Sequence, residues 1–302
     1  MNAKKHHSDG LLLAIAAYST WGFFPLYFSY LSIVSPIEVL AQRIIWSLVT
    51  TLIIAIILKR WTTLIKALHN KTLLGWLALS ALLISLNWLV YIWAVGQNRV
   101  LEASLGYFIS PVLSLILAKL FFAEELHPLQ AWAGIIATLA IVWELFSLGQ
   151  LPWISLVLAL AFALYGVIRK HSPIDGISGM TIETIVLLPF ALVWIGWQSL
   201  NPLSSLIFSH DYNLTLLLIG AGVLSAFPLI LFAMATRRID LSIVGFIMYI
   251  NPTMQFLIAV FILDESVSSQ KMVTFTLVWS ALIIFMIGLV RSSAKSVPSY
   301  ND

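Results

Sequence analysis

The chain has 302 residues, of which 61% are apolar and only 10% charged, with a formal net charge of +3. Soluble domains carry about 25% charged residues, and a globule of ~300 residues still shows about a quarter of its chain surface to water. With a mean hydropathy of +0.99, this chain has to be solvated by lipid, which excludes a soluble enzyme, a nucleic-acid binder and a disordered regulator. The absence of cysteine excludes disulfides, thiolate metal sites and thiol catalysis.

A bilayer-crossing helix needs about 20 mostly apolar residues. Ten stretches meet or approach that length, at about 11–30, 36–58, 72–94, 101–121, 129–148, 152–168, 181–197, 214–234, 241–262 and 272–290. The connections between them are too short for an extramembrane domain. Lys4 and Lys5 precede the first apolar run, but it continues without a small-residue cleavage site, which argues against a cleaved signal peptide.

Orientation follows from the basic residues. Lys4, Lys5, Lys59, Arg60, Lys66, Lys71, Arg169, Lys170, Arg237, Arg238, Arg291 and Lys295 all fall on one side of the ten-span pattern. The other side holds Arg99 and Lys271. Lys119 can snorkel from the inner end of span 4, and Arg43 alone lies well inside. Both termini are therefore expected in the cytoplasm.

Residues 99–125 and 238–265 echo each other. Pro111 and Glu124 are thirteen positions apart, as are Pro252 and Glu265, and each copy follows a basic turn (Arg99, Arg238). Leu117-Ala118 in one copy matches Ile258-Ala259 in the other. Each copy is the fourth span of a five-span half. Five is odd, so the second half enters the membrane with opposite orientation. The expected fold is an all-α polytopic membrane protein of ten transmembrane helices, built as two inverted five-helix repeats over residues 1–150 and 151–302. In such proteins the binding site lies at the repeat interface near the midplane.

The run Leu101-Glu102-Ala103-Ser104-Leu105-Gly106-Tyr107-Phe108, ending in Pro111, resembles the chloramphenicol-sensitive (RarD-type) branch of the EamA-type drug/metabolite transporter superfamily. So do Arg43-Ile44-Ile45-Trp46-Ser47, Asn87-Trp88 followed by Tyr91-Ile92-Trp93-Ala94-Val95, Glu183-Thr184 leading to Pro189, and Lys271-Met272-Val273-Thr274-Phe275. The resemblance covers nearly the whole chain. It implies two inverted five-helix repeats, a bacterial inner-membrane location and export of small metabolites or drugs. That branch usually has His before the span-2 arginine and Asn before the span-4 proline, where this chain has Gln42 and Ser110. A mechanism that titrates a histidine there is in doubt for this chain.

Arg43 is the strongest single signal. It lies seven residues below the outer end of span 2, roughly 10 Å at 1.5 Å per residue. An intramembrane arginine is a functional-site hypothesis by default, and the competing reading is a structural ion pair with Glu102. Asn87, Tyr107 and Arg43 are expected to share one level of the bundle, with Tyr91 a turn above Asn87. Trp21 and Trp46 sit too deep for an interfacial belt and Trp88 is intermediate; Trp21 and Trp88, with Tyr249 and Asn251, join the candidate cavity lining. Glu102 begins span 4, where a carboxylate suits the positive helix end. Ser35-Pro36-Ile37-Glu38 reads as a capping box; Glu144 and Glu183 read as interfacial. Pro111 and Pro252 both fall near the bilayer centre, where each would free a backbone carbonyl and break its helix.

Enzyme signals are weak. All six histidines fall in termini or connections, and there is no Walker loop or His-Glu-x-x-His. Gly176-Ile177-Ser178-Gly179 matches the short motif of intramembrane serine proteases, but no histidine lies in a span to activate the serine. The leading expectation is a secondary transporter of a small amphipathic metabolite or drug, working by alternating access without a cofactor or metal. Chloramphenicol-like compounds fit that expectation, and coupling to protons is left open. Its partners are a small-molecule substrate and the lipid bilayer. The rival expectation is a non-transporting scaffold or a lipid-facing enzyme, which would need no polar cavity at midplane depth.

Overall fold

The computed structural model describes residues 2–122, 128–148, 151–200, 211–235, 238–239 and 247–295. Every regular element among them is a helix: α1 (Asn2–Gly22), α2 (Phe24–Ser29), α3 (Pro36–Ile57), α4 (Trp61–His69), α5 (Lys71–Gly96) and α6 (Val100–Phe122) in the first half. The second half follows α7 (Pro128–Leu148) with α8 (Trp153–His171), α9 (Gly176–Leu200), α10 (Tyr212–Ala235), α11 (Ile250–Phe261) and α12 (Ser269–Lys295). Seven described segments are long and apolar enough to cross a bilayer. Val100–Ser114, Trp153–Arg169 and Ile250–Phe261 are shorter apolar helices. The chain is a multi-pass membrane protein.

Local sequence explains where the helices stop. Non-glycine residues with positive φ follow α3, α5 and α11: Lys59 at 55°, Asn98 at 54° and Asp264 at 53°. A left-handed residue just past a helix end turns the chain away and leaves the last carbonyls to the turn amides. The expected first span is two helices: α1 ends at Gly22, and α2 restarts with Pro25 in its first turn, where a missing N–H costs nothing. Two expectations are corrected here. Ser35 makes no side-chain capping hydrogen bond to α3, and Pro36 occupies the first helical position. Residues 61–69, expected as part of a loop, form the amphipathic α4, which buries Leu64 and Ala67 and exposes Trp61 and Ile65.

The two prolines behave differently. Pro111 lies inside an uninterrupted α6. Near Pro252, the third residue of α11, the helix is interrupted: Ile247 is helical, Met248–Tyr249 form a turn and α11 begins at Ile250. Asn251 N–H donates to the Met248 carbonyl at 3.2 Å, which satisfies the group a mid-helix proline would have freed. Glu124 of the matched sequence lies outside the described residues.

The helices pack in two groups and an outlying pair. α3 packs on α9 and α10, and α10 on α1; α8 packs on α6 and α5, and α6 on α11; α7 and α12 pack on each other. Contacts of α1 with α11 and of α5 with α9 join the groups. The main core runs between them and is rich in aromatic rings, among them Phe28, Phe108, Phe256 and Phe275. One end of the bundle carries Lys59, Arg60, Lys66, Lys71 and Arg169 and is called the basic end below.

Candidate functional site around Arg43

Arg43 is 3% exposed and buried among aromatic side chains. Its guanidinium carbon stands 4.0 Å over the Trp88 ring, 5.3 Å from Phe28 and 5.7 Å from Phe24. Nε donates to Ser225 Oγ at 2.7 Å, which ties α3 to α10. Among the described residues no carboxylate pairs with Arg43 and no other hydrogen bond reaches its guanidinium. A desolvated charge without a counter-charge is costly by several kcal/mol. The ring faces offset part of that cost, at about 2 kcal/mol for a desolvated cation–π contact.

The neighbouring polar groups form a short chain. Tyr107 of α6 donates its hydroxyl to Asn87 Oδ1 at 3.0 Å, and Asn87 Nδ2 donates to the Leu158 carbonyl of α8 at 3.0 Å. Tyr91 packs tilted on Tyr107 at 5.9 Å and edge-to-face on Phe28 at 6.0 Å, and its buried hydroxyl has no hydrogen-bond partner among the described residues. The structure thus brings Arg43, Asn87, Trp88 and Tyr107 together at one place. Phe24, Phe28, Tyr91 and Ser225 complete it. Tyr91 was legible from its position a turn from Asn87. Ser225 carries no signal in sequence, since its link to Arg43 spans 182 positions.

The remaining candidates lie elsewhere. Trp21 packs with Tyr18 and Phe232 at ring distances of 5.3 and 6.4 Å, in a cluster of α1 and α10. Tyr249 stacks on Phe108 at 6.5 Å, its buried hydroxyl unpartnered. Asn251 accepts from Gln255 Nε2 at 2.7 Å within α11. The competing reading, a pair of Glu102 with Arg43, is not what the structure holds. Glu102 accepts two bonds from Arg99, at 2.8 and 2.9 Å, and lies 3.7 Å from Lys271. Proximity in sequence wins, because three positions place two side chains on one helical face.

At that same end Glu265 reaches the start of α6, where both carboxylate oxygens accept backbone N–H groups, from Val100 at 2.5 Å and Leu101 at 2.9 Å. Burial raises its carboxyl above the ordinary glutamate value, outweighing the pull of those amides and of Lys271. Glu144, expected at an interface, is buried with one carboxylate oxygen unpartnered.

A second buried polar cluster lies toward the basic end. Glu183 of α9 is 2% exposed, not interfacial. Ser80 of α5 donates to its Oε1 at 2.5 Å, Tyr165 of α8 donates to its Oε2 at 3.4 Å, and Arg169 Nη1 stands 3.6 Å from Oε1. Gly179 explains the glycine-flanked serine motif without protease chemistry, since a side chain at that position would overlap the Arg169 guanidinium. Ser178 is occupied with Asp175, to which it donates from both backbone and side chain.

Comparison with known proteins gives the geometry its family. Residues 8–146 match the EamA-like transporter family. The chain is 38% identical to Protein RarD of Escherichia coli K12 over 296 residues, 98% of this chain and 99% of that one. It is 38% identical to an uncharacterized transporter of Vibrio cholerae over 92% of each chain. It is 30% identical to the chloramphenicol-sensitive protein RarD of Pseudomonas aeruginosa, covering 91% of this chain and 93% of that one. A solved crystal structure shares the fold at a TM-score of 0.58 and 15% identity, covering 93% of this chain and 98% of that one. With near full-length similarity to these relatives, the chain belongs to the RarD branch of the EamA-type drug/metabolite transporters.

Proposed function

We propose that this protein is a secondary transporter that exports a small amphipathic molecule across the bacterial inner membrane by alternating access, with the Arg43 site as its binding site. The observation that carries the reading is a buried guanidinium that pairs with no carboxylate among the described residues and is held there by one hydrogen bond, from Nε to Ser225. Aromatic rings around it suit an apolar or aromatic substrate body. A guanidinium suits an oxygen acceptor on that body, with the unpartnered Tyr91 hydroxyl as a further donor.

Alternating access needs two halves that can rock, and helix contacts support the inverted repeat. Exchanging α1, α3, α5, α6 and α7 for α8, α9, α10, α11 and α12 maps the major contacts onto one another. α3–α10 becomes α9–α5, α1–α10 becomes α8–α5, and α6–α8 becomes α11–α1. α3–α9, α6–α11 and α7–α12 map onto themselves. That is the contact pattern of a pseudo-two-fold axis in the membrane plane.

Because a relative is named chloramphenicol-sensitive, labelled chloramphenicol is the first probe, in vesicles holding the purified protein. Arg43→Gln should slow its transport roughly 10–100-fold, the range expected for losing a charged hydrogen bond. Arg43→Lys keeps the charge but loses the planar fork and should fall between. Wild-type transport by Arg43→Gln would remove this residue from the mechanism. Should chloramphenicol not be carried, metabolite pools of a deletion strain and an overexpressing strain supply the next probe; identical pools would sink the transporter reading.

A further inference from the structure

Glu183 takes no part in the Arg43 site, yet the two residues occupy matching positions. Arg43 stands seven positions after Pro36, the first residue of α3; Glu183 stands seven after Gly176, the first of α9. The helices pack with Ala55 beside Ile182 and Ala41 in one cluster with Ala191, so they run in opposite directions. Partners match as well. Phe24 and Phe28 precede Arg43 by 19 and 15 positions; Tyr165 and Arg169 precede Glu183 by 18 and 14. Each charged residue also bonds a serine from the other half, Ser225 for Arg43 and Ser80 for Glu183. One architectural position thus holds a cation near one end and a carboxylate near the basic end.

The chemistry around Glu183 suits a proton. Arg169 Nη1 is close enough for charge attraction but makes no hydrogen bond, and Nη2 donates instead to the Asp175 carbonyl at 3.2 Å. A buried pair without a direct hydrogen bond recovers less of its desolvation cost than a bonded one. A metal cation at the carboxylate would sit against the guanidinium, whereas a proton neutralises the carboxylate and adds no second cation. We propose that Glu183 binds a proton from solution and that this binding unlocks the bundle at its basic end, as part of the transport cycle. The carboxylate becomes a carboxylic acid, and Arg169 loses its attraction to α9 while keeping the Asp175 carbonyl.

The consequence is mechanical because of who packs with whom. α8 rests on α6 and α5, while α9 rests chiefly on α3. The side-chain links from Glu183 to Tyr165 and Arg169 therefore tie one helix group to the other. Charged and titratable groups near this link are few. α8 supplies Arg169 and Tyr165 and ends at His171, which packs on Trp76 of α5; α5 supplies the neutral Ser80 and starts at Lys71. Toward the basic end Asp175 interacts with Arg60, while α4 exposes Lys66 and His69 at the surface. α3 carries Glu38 and Arg43 near its far end, and α10 has Tyr212 at its start, away from Glu183.

The chain has no cysteine, so a single one reports access without background. Met180 is buried one turn closer to the basic end on the face of α9 that holds Glu183. In Met180→Cys, labelling by a membrane-impermeant maleimide is measured between about pH 8 and about pH 5. Each rate is divided by that of the detergent-unfolded protein at the same pH. The expected result is about a tenfold rise on acidification, the scale of one pK unit of coupling. Adding Glu183→Gln should give fast labelling at both pH values, and Glu183→Asp should keep the pH response. Flat labelling with Glu183 present, or a pH response that survives Glu183→Gln, overturns the proposal. If Glu183→Gln fails to fold, infrared difference spectra replace it. A protonated-carboxyl band that titrates and shifts in Glu183→Asp supports the proposal, and its absence overturns it. The proposal rests on the transport reading for its use in a cycle, but none of these measurements needs a substrate. A normal pH response without transport would refute that reading alone, and transport with flat labelling would refute this one alone.

Discussion

At Gly106 the backbones of α6 and α8 come together with nothing between them. A methyl group placed there would lie 2.8 Å from the Ser155 carbonyl oxygen and 3.1 Å from Leu158 Cβ. The close approach has a functional neighbour, since Tyr107 follows immediately and Leu158 holds Asn87 through its carbonyl. Small residues let membrane helices approach in this way. Gly106→Ala should destabilise the protein by about 1–3 kcal/mol, the usual cost of overpacking, and should slow transport by pushing Tyr107 away from Asn87. Gly166→Ala and Gly196→Ala meet no atom within 4 Å and should leave both unchanged. Thermal unfolding in mild detergent reads the first effect and vesicle flux the second. Equal midpoints for all three variants would show that α6 and α8 can separate freely. At this scale the sequence is a partial guide. Arg43, Asn87, Trp88 and Tyr107 are legible because polar or bulky amphipathic side chains at midplane depth need a reason to be there. Their acceptors are not legible: Ser225 and the Leu158 carbonyl look like any other position in an apolar span. The competing pair of Glu102 with Arg43 does not form because Arg99, three residues away, takes the carboxylate.

Helix ends, more than helix interiors, distinguish one element from another in this protein. The first amides of α6 have no partners within their own helix, and Glu265, from the turn between α11 and α12, accepts two of them. An acidic group at that place also opposes the positive end of the helix. Its folded-state carboxyl is nevertheless raised by burial, and the sign of the pH effect follows. A raised carboxylate contributes stability that is complete below the ordinary glutamate range and is lost as pH rises through its folded value. The wild-type midpoint should therefore decline over that window, and Glu265→Gln should lack this component of the decline. Glu265→Ala removes the acceptor altogether and should cost about 1 kcal/mol at acidic pH, as a lost cap does, and less as pH rises through the folded value. Identical pH profiles for wild type and Glu265→Gln would mean that the pull of the amides balances the effect of burial. The sequence matches Pro252–Glu265 to Pro111–Glu124 and so marks Glu265 as special, but as part of a repeat rather than as a cap. It does not reveal α4 or the separation of α1 from α2. Apolar windows of span length average over a nine-residue helix and over a single non-helical residue.

For the whole molecule, hydropathy and charge carry most of the fold, because lipid removes nearly every alternative to the helix. α3, α5, α6, α7, α8 and α10 begin and end within three residues of the expected span limits, whereas α1 begins nine residues early, α9 begins five early and α12 ends five late. Basic residues gather at one end. Which compartment that end faces is a separate matter, since the bundle alone has no membrane sides. The bias of Lys and Arg toward the cytoplasm fixes it by expectation, and the cysteine-free chain allows a direct test. Ser32, in the turn between α2 and α3, and Thr62, at the start of α4, are both exposed and lie at opposite ends of α3. In intact cells an impermeant thiol reagent should label Ser32→Cys and leave Thr62→Cys untouched until the inner membrane is opened. The same experiment bears on both proposed sites. If the labelling is reversed, Arg43 lies near the cytoplasmic surface, Glu183 near the outer one, and the proposed proton enters from the other compartment. If both positions label from outside, α3 does not cross the membrane. The inverted arrangement of the two halves would then be lost together with the argument from matched positions.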